Sequence, residues 1–235
     1  MLKKIREFPV IKKKKPFEIQ LTSDLESKVE KNWKEFLKKH EGYWDGELLS
    51  VTHFDVDANI FVVGKAKYSW LIYSQNHEDL DIRSLFVAIL FKTLDDKYVI
   101  IKNNHDIINI IGGMVEEKDL SNDKFHPAFC LQRELLEELN LDLYNRQHVC
   151  SYQMKYLNTP NPGRNYGIVY TGVLNFTSSE FLKYFIDNKS KLDHEISKLL
   201  LLDSEEVKSL DLSGNHAPAL YVKELMDFET DDNVH

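Results

Sequence analysis

The order of apolar and polar residues predicts a helix near the start of the chain. Residues 24–40 carry apolar side chains at helical spacing, Val29 and Trp33 among them, with charged residues between them. Ser23 or Asp24 is placed to cap the first turn. The pattern is typical of an amphipathic helix that packs one face against the rest of the protein.

The next pattern predicts a β-hairpin. Residues 47–54 and 58–63 are strand-like runs, and the Asp-Val-Asp between them supplies residues that favour turns. Residues 66–74 then predict a short helix. The chain therefore changes from strands back to a helix within the first third of its length.

A second group of strands is more continuously apolar. Residues 84–91 and 98–102 read as strands on either side of a turn at Asp95-Asp96. The remaining predicted elements are strands near 148–157, 167–176 and 198–202 and helices near 126–139, 178–188 and 216–227. Strands on both sides of a central helix predict an α+β fold with a mixed β-sheet between helices.

Composition supports a folded core and argues against nucleic-acid binding. The 235 residues are 43% hydrophobic and 11% aromatic, which is too apolar for a disordered chain. The net charge of −8 disfavours binding to a phosphate backbone. The lysine run 12–15 predicts a solvated face before a turn at Pro16, with a phosphate-steering patch as the alternative.

Cysteine content and hydropathy indicate a cytoplasmic protein. Cys130 and Cys150 are too few for a disulfide framework, and we expect two buried thiols in a reducing compartment. No apolar run approaches the ~18 residues that cross a membrane. The basic N-terminus has no apolar segment behind it, unlike a signal peptide. We expect no membrane partner, and the sequence leaves a homodimer open.

The stretch 112–141 opens with two glycines and ends in clustered acids. On a helix, Glu134, Glu137 and Glu138 fall at i, i+3 and i+4, so their carboxylates share one patch. A divalent cation would keep such a cluster ionised, and hard oxygen ligands suit Mg²⁺ or Mn²⁺. We assign these three glutamates to a metal site with Gly113, whose backbone can pass close to the ion or to a phosphate. The alternative is an acidic helix that simply faces water.

Arg133 directly precedes the acidic patch. We expect it to turn away from the carboxylates and to pair with an acid of the preceding loop, either Asp119 or Glu117. We count it among the catalytic residues as a supporting group that does not contact substrate.

This stretch resembles the Nudix hydrolase box, which runs Gly, five residues, Glu, seven residues, Arg-Glu-apolar-x-Glu-Glu-x-Gly-apolar. Gly113 opens the box here and residues 133–138 match its core. Asn140 replaces the last glycine, and asparagine tolerates the left-handed backbone of a helix end. Asp119 stands in place of the first glutamate, but the segment 120–132 is longer than the usual seven residues. The sequence therefore leaves open whether Asp119 replaces that glutamate.

Outside the box, the chain resembles the Nudix subgroup that includes the animal UDP-glucose and UDP-galactose pyrophosphatases. The residues that carry this likeness are "GYWDGELLSVTHF", "VGKAKYSWLI" and "DIRSLFVAILF". The resemblance implies a Nudix-type α/β/α sandwich with a mixed β-sheet. It also implies an N-terminal extension lobe of residues 1–80 and a Nudix domain of residues 84–225.

The resemblance further implies a metal-dependent hydrolase whose substrate is a small nucleotide. Its expected substrate is a nucleoside diphosphate linked to another moiety, with UDP-sugars giving UMP and a sugar 1-phosphate. The alternatives are an ADP-ribose or dinucleotide pyrophosphatase and a catalytically weak Nudix-fold module that binds a nucleotide or a protein. The sequence does not fix the substrate, the number of metal ions or the phosphorus that is attacked.

Three residues outside the box are further candidates. Glu195 is a candidate metal ligand or general base, with an acid at a strand edge as the alternative. Arg164, in the loop "NTPNPGRNYG", can clamp a phosphate bidentately or be a plain surface arginine. Tyr68, like Tyr43 and Trp44, can stack on a base or pack in the core.

Overall fold

The computed structural model describes most of the chain. The described residues are 2–4, 9–104, 106–121, 124–159, 165–192, 196–210, 222 and 225. The strands are β1 (Leu2–Lys4), β2 (Val10–Glu18), β3 (Glu47–Asp55), β4 (Ile60–Lys67), β5 (Leu85–Lys92), β6 (Tyr98–Asn103), β7 (Ile108–Asn109), β8 (Ile111–Met114), β9 (Leu120–Ser121), β10 (Lys124–Phe125), β11 (Val149–Asn158), β12 (Tyr166–Leu174) and β13 (Ile196–Leu202). The helices are α1 (Ser23–Leu37), α2 (Tyr68–Ser74), α3 (Pro127–Leu139), α4 (Ser178–Asn188) and α5 (Ser204–Ser209).

The larger sheet is mixed, as the sequence predicts. Its strands follow the order β1-β11-β12-β5-β6-β13, with β7 paired to β6 and β8 paired to β5. Only the β12–β5 pair is parallel among these described pairs. The central strand β5 is apolar on both faces because Val87 packs into one core cluster and Leu90 into another.

Helices cover both faces of this sheet, which confirms the predicted α+β arrangement. Helices α3 and α4 pack on one face through buried residues such as Leu131 and Phe181. Val207 of α5 packs on the other face with the buried Val222 and Leu225. The predicted helix 216–227 lies outside the described residues except at those last two positions, which are helical.

The smaller sheet has the order β2-β4-β3 and contains the predicted hairpin. Strands β3 and β4 pair antiparallel, and the Asp55 carboxylate accepts hydrogen bonds from the backbone N–H groups of Asp57 and Ala58 in the turn. The lysine run 12–15 is exposed or half-buried, as predicted, but the turn predicted at Pro16 was wrong, since residues 10–18 form β2, which pairs parallel with β4. Strand β2 is an edge strand, where lysine is common because its charge discourages further pairing.

The two sheets are joined beside the glycine pair. The backbone N–H of Leu49 in β3 donates to the carbonyl of Val115, 2.9 Å away, just after β8. Leu49 and Val115 are buried in the core cluster that also contains β5 and α3. Residues 2–4 belong to the larger sheet through β11. The division at residues 1–80 and 84–225 stays a prediction.

Helix boundaries follow the sequence pattern closely. Helix α1 begins at Ser23, but the capping side chain is Thr22, which accepts a hydrogen bond from the N–H of Leu25. Helix α3 ends at Asn140 with φ 54° and ψ 29°, which confirms the left-handed end that was expected there. Among the described residues, no helix is long and apolar enough to cross a membrane.

Candidate active site

A cavity of about 650 Å³ lies between the N-terminal segment and the middle and C-terminal part of the acidic helix. Helix α3, the end of β8 and the turn after it form one wall. The segment before β3 and the first residue of α2 form the other wall. The residues that line it are Glu41, Gly42, Tyr43, Trp44, Gly46, Glu47, Leu48, Tyr68, Asn103, Asn104, Gly112, Gly113, Met114, Glu116, Lys118, Arg133, Glu134 and Glu137.

Gly112 allows β8 to lie close to the backbone of β5, and Gly113 allows the Glu134 side chain of the acidic helix to lie against β8. Gly112 has a φ of 147°, and a Cβ there would collide with the backbone of Val87 and Ala88. A Cβ on Gly113 would collide with the carboxylate of Glu134. Any larger residue at position 113 would therefore displace the Glu134 side chain from the cavity wall. This close approach is the structural reason for the glycine that opens the box.

The guanidinium of Arg133 connects the preceding turn to the helix carboxylates. Nε and Nη2 donate to the two oxygens of Asp119 at 3.1 and 3.0 Å, so Asp119 is the partner and Glu117 is not. Nη1 lies 2.7 Å from Glu134 Oε1 and 3.1 Å from Glu137 Oε2. The expectation that Arg133 turns away from the carboxylate patch was wrong. Its five N–H donors allow it to serve the loop and the patch together.

Burial makes this ion-pair network rigid. The Asp119 side chain is 4% exposed, and it also accepts a hydrogen bond from the backbone N–H of Glu116 in a capping box. Burial lowers the pKa of the Arg133 guanidinium, but the hydrogen bond to Asp119 and the charge of Glu134 outweigh it, so the net shift is upward. Arg133 is therefore a fixed cation that orients the turn and the helix relative to each other.

The three helix glutamates are not equivalent in the structure. Glu134 and Glu137 line the cavity, whereas Glu138 is buried and is not among its lining residues. Across the described residues, no group of three or more His, Cys, Asp or Glu side chains is arranged to hold a metal ion. The positive group against Glu134 and Glu137 is Arg133. The metal assignment of Gly113, Glu134, Glu137 and Glu138 stays a prediction.

Aromatic side chains line the cavity on the wall formed by the N-terminal segment and Tyr68. The rings of Tyr43 and Tyr68 are stacked at a centroid distance of 6.0 Å, and Trp44 is 69% exposed. Burial raises the pKa of Tyr68 to about 12, so its phenol is neutral at physiological pH. The ring of Tyr68 also makes an edge-to-face contact with Trp33 of α1, at a centroid distance of 6.0 Å. Its predicted role in substrate binding stays a prediction, but it does line the cavity.

Several polar residues of the cavity were not predicted from the sequence, and two predicted residues fall outside the described part of the chain. The cavity residues that were not predicted include Glu41, Glu47, Glu116 and Lys118. The only signal for them in the sequence is that they lie within a few residues of the aromatic residues or of the glycine pair. Arg164 and Glu195 lie outside the described residues. Their predicted roles are therefore untested.

Both cysteines are free thiols, but only one is buried. Cys130 of α3 is fully buried, and burial followed by the charges of Asp119 and Glu134 raises the pKa of its thiol. Cys150 is half-exposed at the start of β11, so the prediction of two buried thiols was wrong for this residue. Burial therefore favours the protonated form of the Cys130 thiol.

Searches against known proteins give similarity at the level of structure only. No family model matches the chain, and no curated protein matches it. The chain is similar to a structure of DR0079 from Deinococcus radiodurans, with 15% identity, a TM-score of 0.48 and coverage of 76% of this chain and 98% of that one.

Two further similar structures are complexes with bound ligands. One is the NUDIX domain of Shewanella oneidensis NrtR complexed with ADP ribose, with 13% identity, a TM-score of 0.39 and coverage of 66% of this chain and 95% of that one. The other is a bifunctional NMN adenylyltransferase/ADP ribose pyrophosphatase from Francisella tularensis complexed with AMP and a Mn ion, with 14% identity, a TM-score of 0.44 and coverage of 68% and 46%. Similarities at this level establish neither family membership nor activity.

Proposed function

We propose that this chain is a Nudix-type, divalent-metal-dependent hydrolase of a nucleoside diphosphate linked to another moiety. The observation that carries the proposal is one cavity in which Glu134 and Glu137 of α3 lie on one wall and the stacked rings of Tyr43 and Tyr68 lie on the other. A nucleotide is complementary to both walls. Its base has a flat face that can stack on aromatic rings, and its pyrophosphate binds cations that carboxylates can hold.

The charge of the cavity supports a divalent cation. Its lining residues include five carboxylates and two cationic side chains, Lys118 and Arg133. Arg133 is already engaged by Asp119, Glu134 and Glu137. A pyrophosphate entering alone would therefore meet net negative charge. The hard oxygen donors of Glu134 and Glu137 fit Mg²⁺ or Mn²⁺, and the close approach of Gly113 leaves room for the Glu134 carboxylate at the wall.

The residues of the chain divide the chemistry between them. Glu134 and Glu137, which line the cavity, are the proposed ligands together with the buried Glu138 next to Glu137 in the helix, and a bound ion would supply positive charge to the pyrophosphate and acidity to the attacking water. Arg133 holds the ligand helix against the turn 117–119. One of the helix carboxylates or Glu195 takes the proton of the water that attacks phosphorus.

UDP-sugars are the proposed preferred substrates. The support is the resemblance of the segments around Trp44 and Tyr68 to the UDP-sugar subgroup, together with the position of both residues in the cavity. We expect cleavage of UDP-glucose to UMP and glucose 1-phosphate ahead of ADP-ribose and NADH.

A competitive assay tests reaction and substrate together. UDP-glucose, ADP-ribose and NADH are mixed with the protein and Mg²⁺ or Mn²⁺, with EDTA as the control, and the products are identified by mass spectrometry. Preferential loss of an adenine compound would reject UDP-sugar specificity and leave the hydrolase proposal in place. Binding of a nucleotide without any turnover would favour the alternative of a catalytically weak binding module.

A further inference from the structure

The N-terminal sheet reaches the turn of the candidate active site through a lysine. Lys65 lies in β4, opposite Leu49 of β3, and its side chain is 28% exposed. Its Nζ is 2.8 Å from Glu47 Oε1 and 3.4 Å from Glu117 Oε2. Glu47 belongs to the cavity lining, and Glu117 belongs to the turn between Gly113 and Asp119. Lys65 therefore links the two walls of the cavity.

The turn that Lys65 holds is the one that orients Arg133. Residues 117–119 form a single 3-10 turn, so the positions of Glu117 and Asp119 are coupled through its backbone. Asp119 in turn receives two hydrogen bonds from Arg133, which contacts Glu134 and Glu137. A displacement of Glu117 would be transmitted along this path to the carboxylates at the cavity wall.

Two other contacts keep the turn attached when Lys65 is changed. The Leu49–Val115 backbone bond is buried and does not involve any charged side chain. Lys13 of β2 lies 3.9 Å from Glu117 Oε1, which is a longer and weaker contact. Loss of the Lys65 charge should consequently alter the position of the turn without detaching the sheet.

From these contacts we propose that Lys65 is a positioning residue of the catalytic site. Acting through Glu117 and Asp119, it sets the geometry of Arg133 and of the carboxylates that bind the metal. The inference rests on the proposed function, because it adds a residue of the smaller sheet to the proposed metal and pyrophosphate site. Groups hydrogen-bonded directly to metal ligands commonly affect affinity or activity by about 10- to 100-fold, and because Lys65 acts through further contacts we expect an effect at the lower end of that range.

The test compares Lys65→Met and Lys65→Arg with Lys67→Met as a matched control. Lys67 is an exposed lysine two positions along the same strand. Calorimetry measures the Mn²⁺ affinity of each protein, and steady-state kinetics with the substrate found in the competitive assay give kcat and KM separately. Hydrogen exchange of the backbone amides in residues 115–120 reports the order of the turn without requiring metal.

For Lys65→Met we expect Mn²⁺ affinity and kcat to fall by about tenfold each, with KM changed by less than about threefold and faster exchange in the turn. Lys65→Arg should restore most of the loss because it keeps the charge, and Lys67→Met should match the unmodified protein. If the unmodified protein binds Mn²⁺ and Lys65→Met behaves like it in all three measurements, the positioning role is rejected and the proposed function stands. If the unmodified protein binds no Mn²⁺, both are rejected.

Discussion

The two walls of the cavity are stabilised by different interactions. The wall formed by α3, β8 and the turn after it is called the carboxylate end below, and the wall formed by the segment before β3 and Tyr68 is called the aromatic end. At the carboxylate end, Arg133 is held by Asp119, Glu134 and Glu137, and glycine backbone packs directly against a carboxylate. At the aromatic end, Tyr43 and Tyr68 are held by ring contacts, and Trp44 is largely exposed. Charged hydrogen bonds demand a narrow geometry, whereas stacked rings tolerate small displacements.

This difference fits a division between chemistry and recognition. In-line attack on phosphorus needs charges at fixed positions, so small errors there reduce turnover. A flat ring can receive a base in more than one orientation, so small errors there weaken binding. We expect substitutions at the carboxylate end to act on kcat and substitutions at the aromatic end to act on KM.

The largest effect should come from the carboxylates. Glu134→Gln and Glu137→Gln keep side-chain shape but remove the negative charge of a proposed metal ligand, and each should lower kcat by a factor on the order of 10². The measurement is kcat for the substrate found in the competitive assay, with circular dichroism to check folding. Near-normal turnover in both folded variants would refute the metal assignment.

Arg133→Ala should reduce kcat and stability together. It leaves the buried Asp119 carboxylate without its guanidinium partner, at a cost of about 3 kcal/mol. We expect kcat to fall by about 10- to 100-fold with little change in KM, because the guanidinium contacts Glu134 and Glu137, the proposed metal ligands. Kinetics and denaturant unfolding check this together. An isolated large rise in KM would instead place Arg133 in contact with substrate.

A smaller effect, and a different one, is expected at Tyr68. Tyr68→Leu removes the ring stacked on Tyr43 and should raise KM by about tenfold with kcat nearly unchanged, since stacking on a base contributes about 1–3 kcal/mol. Tyr68→Phe is the control, because it retains the ring. A fall in kcat without a change in KM for Tyr68→Leu would remove the proposed contrast between the two ends.

The sequence was most informative where structure depends on local residues. The left-handed end of α3 at Asn140 and the hairpin turn at Asp55 both follow from the conformational preferences of single residues. The pairing of Arg133 with Asp119 could not be predicted from local preferences, because the long segment 120–132 separates the two residues and only the fold brings them together. The contact of Leu49 with Val115 is equally non-local.

Spacing alone also misjudged which glutamates share an environment. The helical period brings Glu134, Glu137 and Glu138 to neighbouring positions, but it does not say which part of that surface the sheet covers. In the structure, Glu138 is buried while Glu137 reaches the cavity. Long side chains such as Arg133 add a second difficulty, since they can reach partners on either side of their helical position.

The pairing of β1 with β11 has a consequence for how the chain acquires its fold during synthesis. Leu2 lies opposite Asn158, so the first strand leaves the ribosome long before its partner exists. The smaller sheet, by contrast, uses only residues 10–67 and can assemble early. Pairings between distant segments form slowly because a long loop must close first. We therefore expect a nascent chain in which the aromatic wall is already folded while the larger sheet still awaits β11 and β12.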